Sequence, residues 1–119
     1  MTPQQWARLQ TDANVKLRRG AWYRILRLGA VDAVLDVNRH PLTVSRTLLQ
    51  IEQVAPSRWS VVPAPRHALR FPSSWGERYV VCPACRGRSP LEGRPTTMRC
   101  TRCNGLFEVA WNEPYLMSA

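Results

Sequence analysis

Two short cysteine motifs, Cys82-Pro83-Ala84-Cys85 and Cys100-Thr101-Arg102-Cys103, stand fourteen residues apart and constrain this chain more than any other feature. Two CxxC pairs at this separation let four thiolates converge tetrahedrally on one Zn²⁺ at about 2.3 Å, each pair forming a tight knuckle around the metal. The knuckles repeat one another, because Cys85-Arg86-Gly87 corresponds to Cys103-Asn104-Gly105. After the second cysteine of each pair the chain must turn sharply through positive φ. Asn104 and the two glycines suit that demand, and Arg86 suits it less. A unit of about 35 residues is too small to be stable on apolar burial alone, so the metal supplies much of its folding free energy. The expected cofactor is one structural Zn²⁺ held by Cys82, Cys85, Cys100 and Cys103.

Other uses of four cysteines fit less well. A disulfide pair needs an oxidising compartment, and Met1 to Leu9 lack the basic start and apolar centre of a secretory signal. A redox CxxC of the thioredoxin kind needs a βαβ setting that the pattern does not offer. Iron in a four-sulfur site stays chemically open, although paired knuckles this close favour zinc. Four cysteines close the coordination sphere, which disfavours a catalytic zinc with a bound water. His40, in a turn, and His67, in a connector, have no Cys, Ser or acid at motif spacing. Asp32, Asp36, Glu108 and Glu113 read as turn or solvent-facing residues. With no phosphate-cradling glycine loop either, the chain reads as non-enzymatic, and no small-molecule substrate is evident.

The chain has 119 residues, which allows one ordinary domain or two very small ones. Its hydrophobic share of 45% and charged share of 21% are those of a folded protein. No apolar run approaches the ~18 residues of a membrane span, because Arg24 and Arg27 interrupt the richest stretch. The expectation is a cytoplasmic protein with no membrane partner. Its formal charge of +9 comes from arginine, the cation suited to forked recognition of phosphate, and points to a nucleic acid (DNA or RNA) or a ribonucleoprotein. An acidic protein surface is the other partner class. Arg86, Arg88, Arg94, Arg99 and Arg102 surround the cysteines and are the candidate contacts, with Trp75, Tyr79 or Trp111 available for base stacking. The competing reading is that these arginines compensate the net −2 of four thiolates around Zn²⁺, and that the aromatics are core.

Along the chain, Thr2-Pro3-Gln4-Gln5-Trp6 carries capping signals that predict a short N-terminal helix over residues 1–14. Strand-like runs follow at Ala21–Leu28, Ala33–Val37, Leu42–Val44 and Gln50–Gln53, with one tight helical turn at Ser45–Leu49. This order, opened by Arg19-Gly20-Ala21-Trp22-Tyr23 and with Ser45-Arg46-Thr47-Leu48-Leu49 before its last strand, resembles SH3-like small β-barrels over residues 15–62, with Trp59–Val62 as a further strand. Residues 63–78 read as a Pro/Arg-rich connector.

Residues 79–111 resemble the small zinc-ribbon domains at the ends of many bacterial proteins, and the ribbon is expected over residues 79–112. Those domains have a CPxC knuckle, a basic residue before a second CxxC, Gly or Asn after it, and an aromatic strand. Here these are Cys82-Pro83-Ala84-Cys85 and Arg99-Cys100-Thr101-Arg102-Cys103-Asn104-Gly105-Leu106-Phe107. The resemblance implies a structural zinc module in a protein that binds nucleic acid or other proteins, and no reaction. Val81, Leu91, Met98, Phe107 and Val109 are its expected core, and residues 113–119 form a tail. The overall expectation is a mainly β adaptor: a short N-terminal helix, an SH3-like barrel and a four-cysteine zinc ribbon.

Overall fold

The computed structural model describes residues 4–11, 15–63 and 77–113. The chain divides into two compact units, Met1–Pro56 and Ser57–Ala119, each built on a five-stranded, mainly antiparallel sheet.

In the first unit, β1 (Trp6–Leu9), β2 (Tyr23–Leu28), β3 (Asp32–Val37), β4 (His40–Ser45) and β5 (Leu49–Glu52) form a sheet of order β4-β3-β2-β1-β5. The turns follow from the residues in them. Asn38 and Arg39 both take positive φ, 52° and 70°, which is the two-residue hairpin turn whose twist matches the flanking strands. Asp36 Oδ1 accepts the Arg39 N–H at 2.8 Å and holds it. At the other end of β3, the Gly29 N–H donates to the Asp32 carbonyl at 2.8 Å. A 3-10 turn at Arg46–Leu48 connects β4 to β5, where the sequence predicts a helical turn. The register shifts between Ile25 and Arg27 of β2, and such a bulge increases the local twist and curls the sheet.

The predicted N-terminal helix is not formed where the chain is described. Residues 6–9 are strand β1, paired antiparallel with both β2 and β5. The reason is tertiary: an isolated helix of this length is marginal in water, whereas a strand between two others satisfies its backbone on both sides. Ala7 and Leu9 are then buried with Tyr23, Ala33, Leu35, Val44 and Leu49. Arg8, between them, is also buried. Its Nε–H donates to Gln50 Oε1 at 2.9 Å, and its guanidinium lies over the Trp22 ring at 4.5 Å, so the charge enters the interior with partners. Capping residues Thr2 and Pro3 lie outside the described residues.

In the second unit, β6 (Arg58–Pro63), β7 (Arg78–Val81), β8 (Arg88–Pro90), β9 (Thr97–Arg99) and β10 (Leu106–Val109) form a sheet of order β8-β7-β6-β10-β9, in which β6 and β10 run parallel. The sequence pattern extends the first barrel to residue 62, but β6 hydrogen-bonds in this second sheet and is its central strand. Trp59 to Val62, Ser60 included, are all buried, as in a strand covered on both faces, and the run lacks the polar alternation of a half-exposed strand. The connector from 63 to 78 lies largely outside the described residues, as does most of the tail from 113 to 119. No helix among the described residues is long and apolar enough to cross a membrane.

Placing β1 between two strands of the first sheet has a measurable consequence. Leu9→Ala is expected to lower unfolding free energy by roughly 2–4 kcal/mol in a urea titration.

Candidate metal centre

Each cysteine pair occupies the turn of one hairpin, Cys82–Gly87 between β7 and β8 and Cys100–Gly105 between β9 and β10. The backbones of the two turns match. The Cys82 N–H donates to the Gly87 carbonyl at 2.8 Å and the Cys100 N–H to the Gly105 carbonyl at 2.8 Å. The Arg86 N–H donates to the Cys82 carbonyl at 3.1 Å and the Asn104 N–H to the Cys100 carbonyl at 2.9 Å. The positive φ predicted after each pair falls on Arg86, at 64°, and Asn104, at 63°, not on the glycines.

The glycines serve close approach instead. A Cβ on Gly87 would lie 3.0 Å from Arg102 Cδ and 3.2 Å from Cys85 Sγ. On Gly105 it would lie 2.5 and 2.6 Å from two ring carbons of Phe107. The first knuckle is therefore covered by an arginine stem from the second knuckle, and the second by the aromatic ring that follows it.

The four sulfurs lie within 4.8 Å of one another, with Cys82 and Cys103 at 3.7 Å and Cys85 and Cys100 at 3.6 Å. A tetrahedron with bonds of about 2.3 Å places its sulfurs roughly 3.8 Å apart, so the donor set and its spacing fit one tetrahedral thiophilic cation. Disulfides would need about 2.05 Å, and all four cysteines are free. Cys82 and Cys100 are buried, Cys85 is half-buried and Cys103 is exposed.

Burial sets the protonation of this cluster, with backbone amides opposing it. Burial pushes the Cys82 thiol up to about 12, while the N–H groups of Cys85 and Ala84 pull the other way. Cys85 is raised for the same reason, against the Gly87 N–H. At Cys100 burial also pushes upward, but the N–H groups of Cys103 and Arg102 prevail and bring it down to about 7.

The site is continuous with the core of its unit, which comprises Trp59, Val61, Val80, Cys82, Cys100 and Val109. Leu91, Met98, Phe107 and Trp111 pack against it, as the sequence predicts for Leu91, Met98 and Phe107. Val81 is buried as well, but alternation turns it to the opposite face from Val80 and Cys82. Sequence reasoning does not assign Trp59 to this core. Its Nε1–H donates to the Met98 carbonyl at 3.0 Å and so joins β6 to the strand that leads into the second knuckle. Nothing in the run Trp59–Val62 distinguishes a last barrel strand from a first strand of the cysteine unit.

The five candidate arginines do not form one cluster with one task. Arg99 Nη1–H donates to the Asn104 carbonyl at 2.9 Å and closes the second knuckle. The Arg102 stem lies over Gly87. Arg94 lies over the Trp111 ring at 4.6 Å. Arg86 occupies the left-handed position of its knuckle and is half-buried, and Arg88, on β8, is exposed. Among the proposed stacking aromatics, Tyr79 is buried, and Trp75 lies outside the described residues. In comparisons with protein-family models, curated proteins and solved structures, nothing matches this chain.

Two outcomes follow from this geometry. Gly105→Ala drives a methyl into the Phe107 ring and is expected to cost about 1–3 kcal/mol in a denaturant titration, whereas Arg86→Gly, which relieves a left-handed side chain, is tolerated. Metal binding must expel the protons of Cys82 and Cys85, both held in the neutral form by raised pKa. The loaded form therefore carries fewer protons, and loading strengthens as pH rises and weakens as it falls. With at least two protons released, affinity measured by competition with a chromophoric chelator is expected to fall at least ~100-fold per pH unit from pH 8 downward. The fall steepens below about pH 7 as Cys100 also takes up its proton.

Proposed function

We propose that this protein is a non-enzymatic, zinc-binding adaptor of the cytoplasm that binds a nucleic acid or a ribonucleoprotein through basic surfaces. In this reading the first unit is an SH3-like barrel and the second a zinc ribbon. The strand order β4-β3-β2-β1-β5, with a 3-10 turn ahead of the last strand, supports the first assignment. The paired CxxC hairpins support the second. Four thiolates fill a tetrahedral zinc and leave no position for a reactive water, so the metal is structural. Thiols kept as ligands suit a reducing compartment.

The observation that carries the nucleic-acid reading is the excess of positive charge together with the exposure of Arg88, Arg94, Arg99 and Arg102 in the second unit. Arg99 and Arg102 also serve the knuckles, but the net charge exceeds what the four-sulfur cluster compensates. Loading four thiolates with Zn²⁺ takes the formal charge from +9 to about +7, so the excess remains for an anionic partner.

A second reading, docking on a larger protein assembly, draws on Leu26, Val31 and Val54, large apolar side chains left exposed in the first unit.

Protein purified without added metal is expected to hold one zinc per chain by elemental analysis, and Cys100→Ser to lose it. DNA and RNA, as duplexes and as single strands, are then titrated with the metal-loaded protein at two salt concentrations. Salt-sensitive binding is expected, and its absence for every probe would overturn the nucleic-acid reading. A partner captured from native cells that survives nuclease treatment would favour protein docking.

A further inference from the structure

Trp111 brings two arginines together. The guanidinium carbon of Arg94 lies 4.6 Å from its ring centroid and that of Arg78 lies 5.6 Å away. The three residues come from separate segments: Arg78 opens β7, Arg94 lies in the loop between β8 and β9, and Trp111 follows β10. The ring is fixed, since its Nε1–H donates to the Pro95 carbonyl at 2.7 Å and the residue packs against the core of the unit. Trp111 is half-buried, whereas both arginines are exposed.

Contact with one held ring restrains two flexible cations about it, which raises the positive potential on that part of the surface. A guanidinium held by cation–π attraction does not spend its N–H groups on the ring's edge atoms, and these remain the forked donor that matches phosphate. Beside the ring runs a groove of about 460 Å³ whose lining includes Arg58, Thr96, Thr97, Trp111 and Asn112. These offer hydroxyl, amide and guanidinium groups. The groove also contains Glu108, which is the register partner of Arg58 across the parallel β6–β10 pair.

Resting on the nucleic-acid reading above, we propose that Arg78, Trp111 and Arg94 form a contact site for single-stranded nucleic acid. The two guanidiniums meet neighbouring phosphates of one strand, and the adjoining groove takes a base or sugar. A single strand fits because its bases are free to enter a groove or to lie against a guanidinium plane, whereas in a duplex they are stacked inside. Trp111 acts as the positioning residue and not as the base platform, because arginines already lie over its ring.

The test uses the full chain with its metal. Fluorescein-labelled oligo-dT and oligo-U of twelve nucleotides and a twelve-base-pair duplex are titrated at two salt concentrations. The proteins are wild type, Arg78→Ser with Arg94→Ser, Arg78→Lys with Arg94→Lys, and, as a control in the other unit, Arg24→Ser with Arg27→Ser. The serine pair is expected to lose at least ~10-fold in single-strand affinity and to flatten the salt dependence by about one to two phosphate contacts. The lysine pair, which keeps charge without the planar fork, is expected to fall between it and wild type, and the control to stay near wild type.

Metal content and unfolding midpoint are measured for each variant. If the serine pair fails to fold or to hold metal, the lysine pair decides: a loss of ~3-fold or more supports the site, and wild-type affinity overturns it. Wild-type protein that binds single strands with the serine pair binding equally, or that binds duplex alone, overturns this site and leaves the nucleic-acid reading standing. Wild-type protein that binds none of the three probes overturns that reading and the site with it.

Discussion

Everything in the second unit turns on bringing four cysteine sulfurs within 4.8 Å of one another. Four thiolates so close repel strongly at the low dielectric of a partly buried site, so the arrangement is stable only with protons or a cation among them. The hairpins that carry them are not neighbours in the sheet. Strand β6 lies between β7 and β10, and the knuckles meet beyond it. Cys82 and Cys100 are therefore part of the same buried cluster as Trp59 and Val61, and the core and the metal site form one structure. Strand β6 also adds a large aromatic and three branched or small residues to this unit, so its apolar core is larger than residues 79–112 alone supply.

Electrostatics near the site divide between holding the knuckles and facing outward. Backbone N–H groups point at the sulfurs and partly offset their charge. Arg99 ties down the carbonyl of Asn104, and Arg102 covers the first knuckle with its apolar stem, a use of arginine that depends on the methylenes as much as on the charge. Arg94 and Arg78 belong instead to the surface at Trp111. A count of arginines close to the cysteines in sequence merges these distinct tasks.

The first unit has its own apolar core. Its curled sheet packs small and branched residues, with Ala7, Ala33 and Leu35 fully buried, and one arginine, Arg8, is buried with Gln50 and Trp22 as partners. Its hairpins are legible in the sequence because turn chemistry is local. Asn38-Arg39 and the residues around Gly29 mark their own reversals, and the alternation of Ala33 to Val37 marks a strand. The first strand is not legible, because Thr2-Pro3-Gln4-Gln5 carries helix-start signals and four residues are too few to establish a period.

Spacing, turn residues and composition are enough to single out the four cysteines, the equivalence of the two knuckles, most strand positions from Tyr23 onward and the excess of positive charge. These properties act within a few residues or over the whole chain, so they can be read without a fold. Tertiary pairing was needed to make residues 6–9 a strand, to set β6 at the centre of the cysteine unit and to join Arg78 to Arg94 at Trp111. It also gave Arg86 the left-handed position while the glycines admit an arginine stem and a ring. Each of these is a choice among pairings between segments far apart in the chain. It is settled by which arrangement buries Leu9, Trp59 and the cysteine sulfurs with their backbone hydrogen bonds satisfied, and no local pattern carries that information.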